Sequence, residues 1–65
     1  MKLQINLHGS WRDVLTFPEE RRTLIETHAA ALLANSGDRA SMRIANDDNE
    51  RLAYCKGPDF VWRAV

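Results

Sequence analysis

The sequence has very little cysteine: Cys55 is the only one among its 65 residues. A single cysteine cannot form an intramolecular disulfide, and this pattern is typical of a protein in a reducing compartment. Long apolar runs are missing too, because the first seven residues alternate apolar and polar side chains. The sequence therefore predicts neither a signal peptide nor a transmembrane helix, and we expect a cytoplasmic protein.

An excess of charge of either sign is also absent. Nine Lys and Arg residues balance nine Asp and Glu residues, which argues against a protein that binds through a large phosphate-facing field. A local basic patch is still compatible with this composition. Arginine fills seven of the nine basic positions, a usage that indicates a GC-rich bacterial or phage genome.

Recognisable catalytic and ligand-binding motifs are missing as well. The histidines, the cysteine and the aspartates show no metal-ligand spacing, and there is no glycine-rich phosphate loop. The acidic run 47–50 lacks the glycine and the regular alternation of a calcium loop, and it is typical of a solvated hairpin tip. We therefore expect no metal, no cofactor and no enzymatic activity.

Three side chains could carry chemistry, but a structural role explains each of them better. We expect His8 in a solvated turn, although an imidazole there could act as a general acid or base. We expect His28 at the core or its boundary. Cys55 is expected to be an inert strand residue on the face opposite Tyr54, because Lys56 alone would do little to lower a thiol pKa.

The stretch 16–37 carries the helical signal, and we predict one helix over about 17–36. Thr16 and Glu19 fit a capping box, and Gly37 supplies the left-handed residue that commonly ends a helix. The residues expected on the buried face recur with helical spacing. They are Leu24, Ile25, His28, Ala29, Leu32 and Leu33.

Residues 1–17 are predicted to form a β-hairpin, because apolar residues alternate along both halves of this segment. The preferred register has a three-residue loop at 8–10. It pairs Leu7 with Trp11 and Leu3 with Leu15, and it gives the hairpin one apolar face.

Asp13 is the defect in this register, because it would face inward beside Ile5. A buried carboxylate without a partner is costly, so we expect either a β-bulge near Asp13 and Val14 or a position that the helix leaves uncovered. The alternative for residues 11–17 is a short helical turn that Ser10 caps and Asp13 closes.

The segment after the helix is predicted to form a loop at 38–40 and then three strands. The first two form a hairpin with a loop at 47–49, in which Asn49 tolerates the left-handed conformation that the last loop residue needs. Its register pairs Ile44 with Leu52 and Met42 with Tyr54. A final strand runs over 60–65.

The predicted order β-β-α-β-β-β gives an α+β two-layer sandwich, with one helix packed on one face of a mainly antiparallel sheet. At 65 residues we expect a single small domain over 1–65, which is marginally stable unless it self-associates. A helix about 18 residues long spans roughly 27 Å and covers only two to three strands spaced about 4.8 Å apart. Five strands should therefore leave an apolar strip uncovered.

Uncovered apolar surface of this kind usually marks an interface. We therefore expect a non-catalytic binding or regulatory module that acts through protein–protein contacts, with a protein partner or a second copy of the chain, as a homodimer. Addition of a strand at the free edge of the last strand is a second route to such a contact. The expected contact residues are Trp11, Tyr54, Phe60 and Trp62, with Arg43 and Arg63 as orienting charges.

The alternative function is a small nucleic-acid-binding protein or a ribonuclease-like bacterial or phage protein. In that case His8 would be the acid or base, and arginines would surround a phosphate. The arginines concerned are Arg12, Arg43 and Arg51. This hypothesis requires that they converge on one face of the sheet.

Overall fold

The computed structural model describes residues 1–37 and 39–65, and these residues form an α+β fold. Five strands make one antiparallel sheet of order β2-β1-β3-β4-β5, and one helical segment packs on one side of it. The elements are β1 (Lys2–Leu7), β2 (Ser10–Thr16), a 3-10 turn (Glu19–Arg21), α1 (Arg22–Ser36), β3 (Ser41–Ala45), β4 (Arg51–Lys56) and β5 (Arg63–Ala64). The predicted strands-helix-strands architecture is confirmed. Of the loop predicted at 38–40, Asp38 lies outside the described residues.

The helical segment ends as predicted but begins differently. Gly37 has φ 77° and is the left-handed residue after Ser36, a conformation that costs glycine little because it has no Cβ. The predicted capping box is wrong, because Thr16 is the last residue of β2 and pairs with Lys2. The segment starts instead with the 3-10 turn after Pro18, and no side chain caps it.

The first hairpin has a two-residue loop, His8 and Gly9, in place of the predicted three-residue loop. Both residues have positive φ, 59° and 92°, as a type I′ turn requires, and histidine is among the residues that tolerate it. Asn6 is therefore opposite Trp11, and the predicted pairing of Trp11 with Leu7 is wrong.

The expected bulge in β2 is confirmed, and it restores the pairing that was predicted at the other end of the hairpin. Gln4 is opposite Asp13 and Leu3 is opposite Leu15, so Val14 is the extra residue. One inserted residue reverses the direction in which the following side chains point. Asp13 consequently faces away from the core, while Leu15 faces the helix side of the sheet.

The second hairpin also contains a bulge, and here the predicted register is wrong. Ile44 is opposite Ala53 and Met42 is opposite Cys55. Ala45, however, is opposite Arg51, so Leu52 is the inserted residue. The insertion exchanges the two faces of β4 relative to the prediction. Cys55 is buried in the core, and its neighbour Tyr54 is on the opposite face. Asn49, with φ 63°, has the left-handed conformation predicted for it.

The core lies between α1 and one side of the sheet. Its most enclosed side chains are Leu33, Met42, Ile44 and Cys55, and burial of each large aliphatic side chain contributes about 1.5–3 kcal/mol. Ala29 is the other buried residue of α1. The helix thus turns Ala29 and Leu33 toward the sheet.

Both residues were predicted to be buried, and Ile25, also predicted, packs against the core. The centre of the buried arc is nevertheless rotated by roughly 75° around the helix axis from the predicted one. Leu24 and Leu32, which were expected to be buried, are exposed, and so is His28. The physical reason lies at the other flank of the helix. The indole N–H of Trp62 donates a hydrogen bond of 2.7 Å to the carbonyl of Glu26, which fixes that flank of α1 against the segment before β5.

The two edge strands offer little for a further strand to pair with. β2 is interrupted by the bulge at Val14, which follows the charged residues Arg12 and Asp13, and such features are common protections of sheet edges. β5 is only two residues long, Arg63–Ala64. The predicted strand over 60–65 is therefore too long, because Phe60 has φ 53° and belongs to a turn.

Candidate functional site

The side of the sheet away from α1 gathers aromatic and cationic side chains. On β1 the core residues Leu3 and Ile5 alternate with Gln4 and Asn6, so the polar pair faces outward. The strand registers then place five functional side chains on the same outward face. These five residues, the open-face patch, are Trp11, Arg43, Tyr54, Lys56 and Arg63.

Arg43 lies at the centre of the open-face patch. Its guanidinium carbon is 4.0 Å from the centroid of the Trp11 ring, which is within the range of a cation–π contact. Its Nε donates a hydrogen bond of 2.6 Å to the side-chain oxygen of Gln4. The Gln4 amide nitrogen in turn donates a bond of 2.7 Å to Asp13. This chain of contacts links three adjacent strands and fixes the guanidinium over the indole.

Tyr54 extends the aromatic surface beside Trp11. The two ring centroids are 6.3 Å apart and the rings are inclined by 58°, a tilted geometry that aromatic pairs favour. A shallow pocket of about 380 Å³ lies next to them. Its lining residues are Trp11, Ser41, Tyr54, Lys56, Arg63 and Ala64.

Arg63 borders this pocket and is paired with a carboxylate. Its guanidinium nitrogens donate hydrogen bonds to both carboxylate oxygens of Asp59. These bonds hold the pKa of Asp59 below its usual range, and the carboxylate raises the pKa of Arg63. Because the pair is at the surface, water screens it and its contribution to stability is small. Its main effect is to orient the guanidinium at the rim of the pocket.

The structure brings together four of the six expected contact residues, namely Trp11, Tyr54, Arg43 and Arg63. The predicted face was wrong for Trp11 and Tyr54, because they lie on the side away from α1 and not in an apolar strip beside it. The other two, Phe60 and Trp62, pack against the core from the helix side of the sheet. The Phe60 ring lies 3.2 Å from the position that a Cβ on Gly57 would occupy. Both aromatic side chains therefore contribute to packing in this structure.

The three arginines of the alternative hypothesis do not all lie on one face. Arg43 and Arg51 point to the open face, whereas Arg12 is opposite Ile5 and so points to the helix side. His8 lies in the exposed turn, as expected, in a shallow depression that Arg39 and Ser41 also line. Arg12 and Arg43 therefore cannot contact the same phosphate group, as a phosphate-cleaving site of this kind would require.

Sequence reasoning missed Gln4 and Asp13 as supports of the open-face patch, and Lys56 as a member of it. Gln4 could have been found, because it occupies an outward position between two core residues of β1. Lys56 could not, since its face follows from the bulge in β4. Cys55 was assigned to the wrong face for the same reason.

Among residues 1–37 and 39–65, no three histidine, cysteine or acidic side chains lie close enough together to hold a metal ion. Within the same residues, no helix has the length and apolar character needed to cross a membrane. Comparison with models of known protein families, with curated proteins and with solved structures found no match to this chain. Function therefore has to be argued from the geometry of the site itself.

Proposed function

We propose that the protein is a non-catalytic binding module of the cytoplasm that recognises another protein through the open-face patch. The observation that supports this most is the stacking of Arg43 on Trp11, with Tyr54 beside the same ring. Trp, Tyr and Arg are the residues that most often dominate the binding energy of protein interfaces. Here all three lie on a sheet face that no other described element covers.

Pre-organisation strengthens the proposal. The bond from Arg43 to Gln4 and the bond from Gln4 to Asp13 hold the guanidinium in place before any partner arrives. Binding to side chains that are already ordered costs less conformational entropy than binding to mobile ones. The patch is thus arranged as a recognition surface with a fixed centre.

The charges on the face indicate the chemistry of the partner. Arg43, Lys56 and Arg63 present three cations around the pocket, and guanidinium groups bind carboxylates in a planar, two-bond geometry. Asp13 and Asp59 lie among them, so the face alternates in sign. A protein segment that carries carboxylates next to apolar side chains complements this pattern better than a uniformly charged polyphosphate does.

Peptides selected from a random displayed library against the native protein test the proposal. We expect the selected peptides to contain Asp or Glu next to an aromatic or aliphatic residue. Their affinity, measured by fluorescence anisotropy, should fall at least about 30-fold with Trp11→Ala or Arg43→Ala, as for a central interface residue. Arg12→Ala is the matched control, because Arg12 is exposed and lies opposite Ile5 on the helix side of the sheet, and it should change the affinity less than about twofold.

Selected peptides that bind the Trp11→Ala variant as tightly as the native protein would contradict the assignment of the patch. Single-stranded nucleic acid is the second candidate ligand, because two aromatic rings and three cations share the face. Mixed single-stranded RNA is therefore tested in parallel at about 50 mM salt. Tight binding that weakens steeply with salt and is lost in Trp11→Ala would assign the patch to nucleic acid instead.

A further inference from the structure

The pocket of the open-face patch is lined by groups of two kinds. Trp11 and Tyr54 form an aromatic wall, and Lys56 and Arg63 bring two cations to its rim. Ser41, opposite Lys56 on β3, adds a half-buried hydroxyl group. A concave surface that combines apolar walls with a few polar groups is typical of a site that binds one particular chemical group.

The cations of the patch differ in how far the protein itself already engages them. The guanidinium of Arg63 donates hydrogen bonds to both carboxylate oxygens of Asp59. Arg43 donates its Nε–H to a side-chain oxygen and stacks on an indole ring. Lys56 is exposed, and within residues 1–37 and 39–65 no hydrogen bond or ion pair engages its ammonium group. Its charge and its three N–H donors are therefore all available to an anion.

Positive charge predominates beside the pocket. Arg43, Lys56 and Arg63 are three cations, and among the described side chains that contact them the one carboxylate is that of Asp59. Asp13, the other acid of this face, lies on β2, three strands from β4 and so about 14 Å from the position of Lys56. Within the described part of the chain, Lys56 is thus the cation of the patch that has neither a carboxylate nor a ring face against it. A partner complements it with a carboxylate of its own.

Lys56 lies beside the aromatic wall at a defined distance. Tyr54 and Lys56 are two residues apart on β4 and share its outward face, so their Cβ atoms are about 7 Å apart. A partner that packs an apolar side chain on the rings and a carboxylate against the ammonium group must hold the two at a similar separation. Side chains one or two residues apart in a protein segment meet this condition.

We propose that Lys56 is the specificity-determining residue of the open-face patch. Its ammonium group binds the carboxylate of an Asp or Glu in the partner protein, while an apolar side chain of the same segment packs on Trp11 and Tyr54. This inference rests on the proposed function, because it requires a protein segment as the ligand. It adds which of the three cations recognises the acidic residue.

The affinity of the selected peptides for two matched lysine variants tests this role. Lys2 is the control, because it also lies on the open face but is four residues from Asn6, which is opposite Ser41. Lys2 is therefore about 13 Å along the sheet from the position of Lys56, and Lys2→Gln removes the same charge. Lys56→Gln should lower the affinity about tenfold, as for the loss of a hydrogen bond to a charged group, and Lys2→Gln less than about twofold. Equal losses would indicate a general effect of positive charge and would overturn the proposal.

The contact is also tested from the side of the peptide. Replacing the acidic residue of a selected peptide by its amide should lower the affinity for the native protein about tenfold. The same replacement should change the affinity for Lys56→Gln less than about twofold, because the carboxylate has already lost its partner. Additive losses would show that the carboxylate binds elsewhere.

Reversal of the charge gives a positive result that a folding defect cannot imitate. A library selected against Lys56→Glu should yield peptides that carry Lys or Arg in place of the acidic residue and keep the apolar one. If this variant selected the same acidic peptides as the native protein, Lys56 would not be the residue that recognises them.

These outcomes separate the role of Lys56 from the proposed function. If Trp11→Ala weakens peptide binding and Lys56→Gln does not, the patch is the recognition surface and Lys56 is not its specificity-determining residue. If neither variant weakens binding, both proposals are wrong. Far-UV circular dichroism establishes that each variant is folded.

Discussion

Cys55 and Tyr54 are neighbours in the sequence and lie on opposite sides of the sheet. The Cys55 side chain is enclosed in the core, and burial raises the pKa of its thiol, as does the charge of Asp59, while Arg63 acts in the opposite direction. A thiolate is the reactive form of cysteine. The thiol is therefore both shielded and held in its unreactive state, and we assign it a packing role.

This environment predicts how stability depends on pH. In the unfolded chain the thiol ionises near its ordinary pKa of 9.0, whereas in the folded protein it keeps its proton to higher pH. The contribution to stability is therefore full below pH 9 and is lost as the pH rises from there toward the folded pKa. Urea unfolding at pH 7 and pH 10 measures the decrease.

The variant Cys55→Ala separates the thiol from the other groups that titrate in this range. The drop in the free energy of unfolding between pH 7 and pH 10 should be smaller in this variant than in the native protein. Reaction with Ellman's reagent should be slow in the folded state and fast in urea. Rapid reaction of the folded protein would show that Cys55 faces solvent and that the register of β4 is wrong.

Two bulges determine which face of the sheet the side chains of β2 and β4 occupy. The bulge at Val14 resolves a conflict that is visible in the sequence, because Asp13 would otherwise lie beside the apolar Ile5. The bulge in β4 has no comparable signal. Leu52 and Tyr54 could face the core, and so could Ala53 and Cys55, because all four side chains tolerate burial. Alternation alone therefore predicts that β4 is a strand but does not determine its inward face.

The orientation of α1 was hard to predict for a related reason. The sequence 24–34 is apolar around most of the helix, with alanine at positions 29, 30, 31 and 34. Either of two adjacent arcs could therefore face the sheet. The arc is selected by Trp62, which bonds to the carbonyl of Glu26 from a distant part of the chain. A long-range contact of this kind leaves no periodic pattern in the helix itself.

The end of α1 was predictable because its cause is local, and it supports a second prediction. Gly37 has φ 77° and an added Cβ would meet no atom within 4 Å, so conformational strain is the only penalty. We expect Gly37→Ala to lower the free energy of unfolding by about 1–2 kcal/mol. Gly37→Asn should cost clearly less, since asparagine tolerates the left-handed region.

Chemical denaturation measures both glycine variants against the native protein. Equal losses for alanine and asparagine would indicate a role for Gly37 other than its backbone conformation. An alanine variant as stable as the native protein would show that the helix does not end in the left-handed conformation.

At the scale of the whole molecule, the helix covers one part of the sheet and leaves another uncovered. The sequence predicted this mismatch from the widths of a helix and a five-stranded sheet, and the structure confirms it in the exposure of Leu15 and Leu32. What the sequence could not predict is which half is left open. The open part is β2, where the inward-facing Leu15 is exposed, because Phe60 and Trp62 pack against the core at the other flank.

The protected edges of the sheet set a limit on how far the protein can assemble. Neither the bulged β2 nor the two-residue β5 presents a long row of free backbone groups with which a strand of another molecule could pair. A concentrated solution should therefore stay clear, where a chain with open edges would form fibrils.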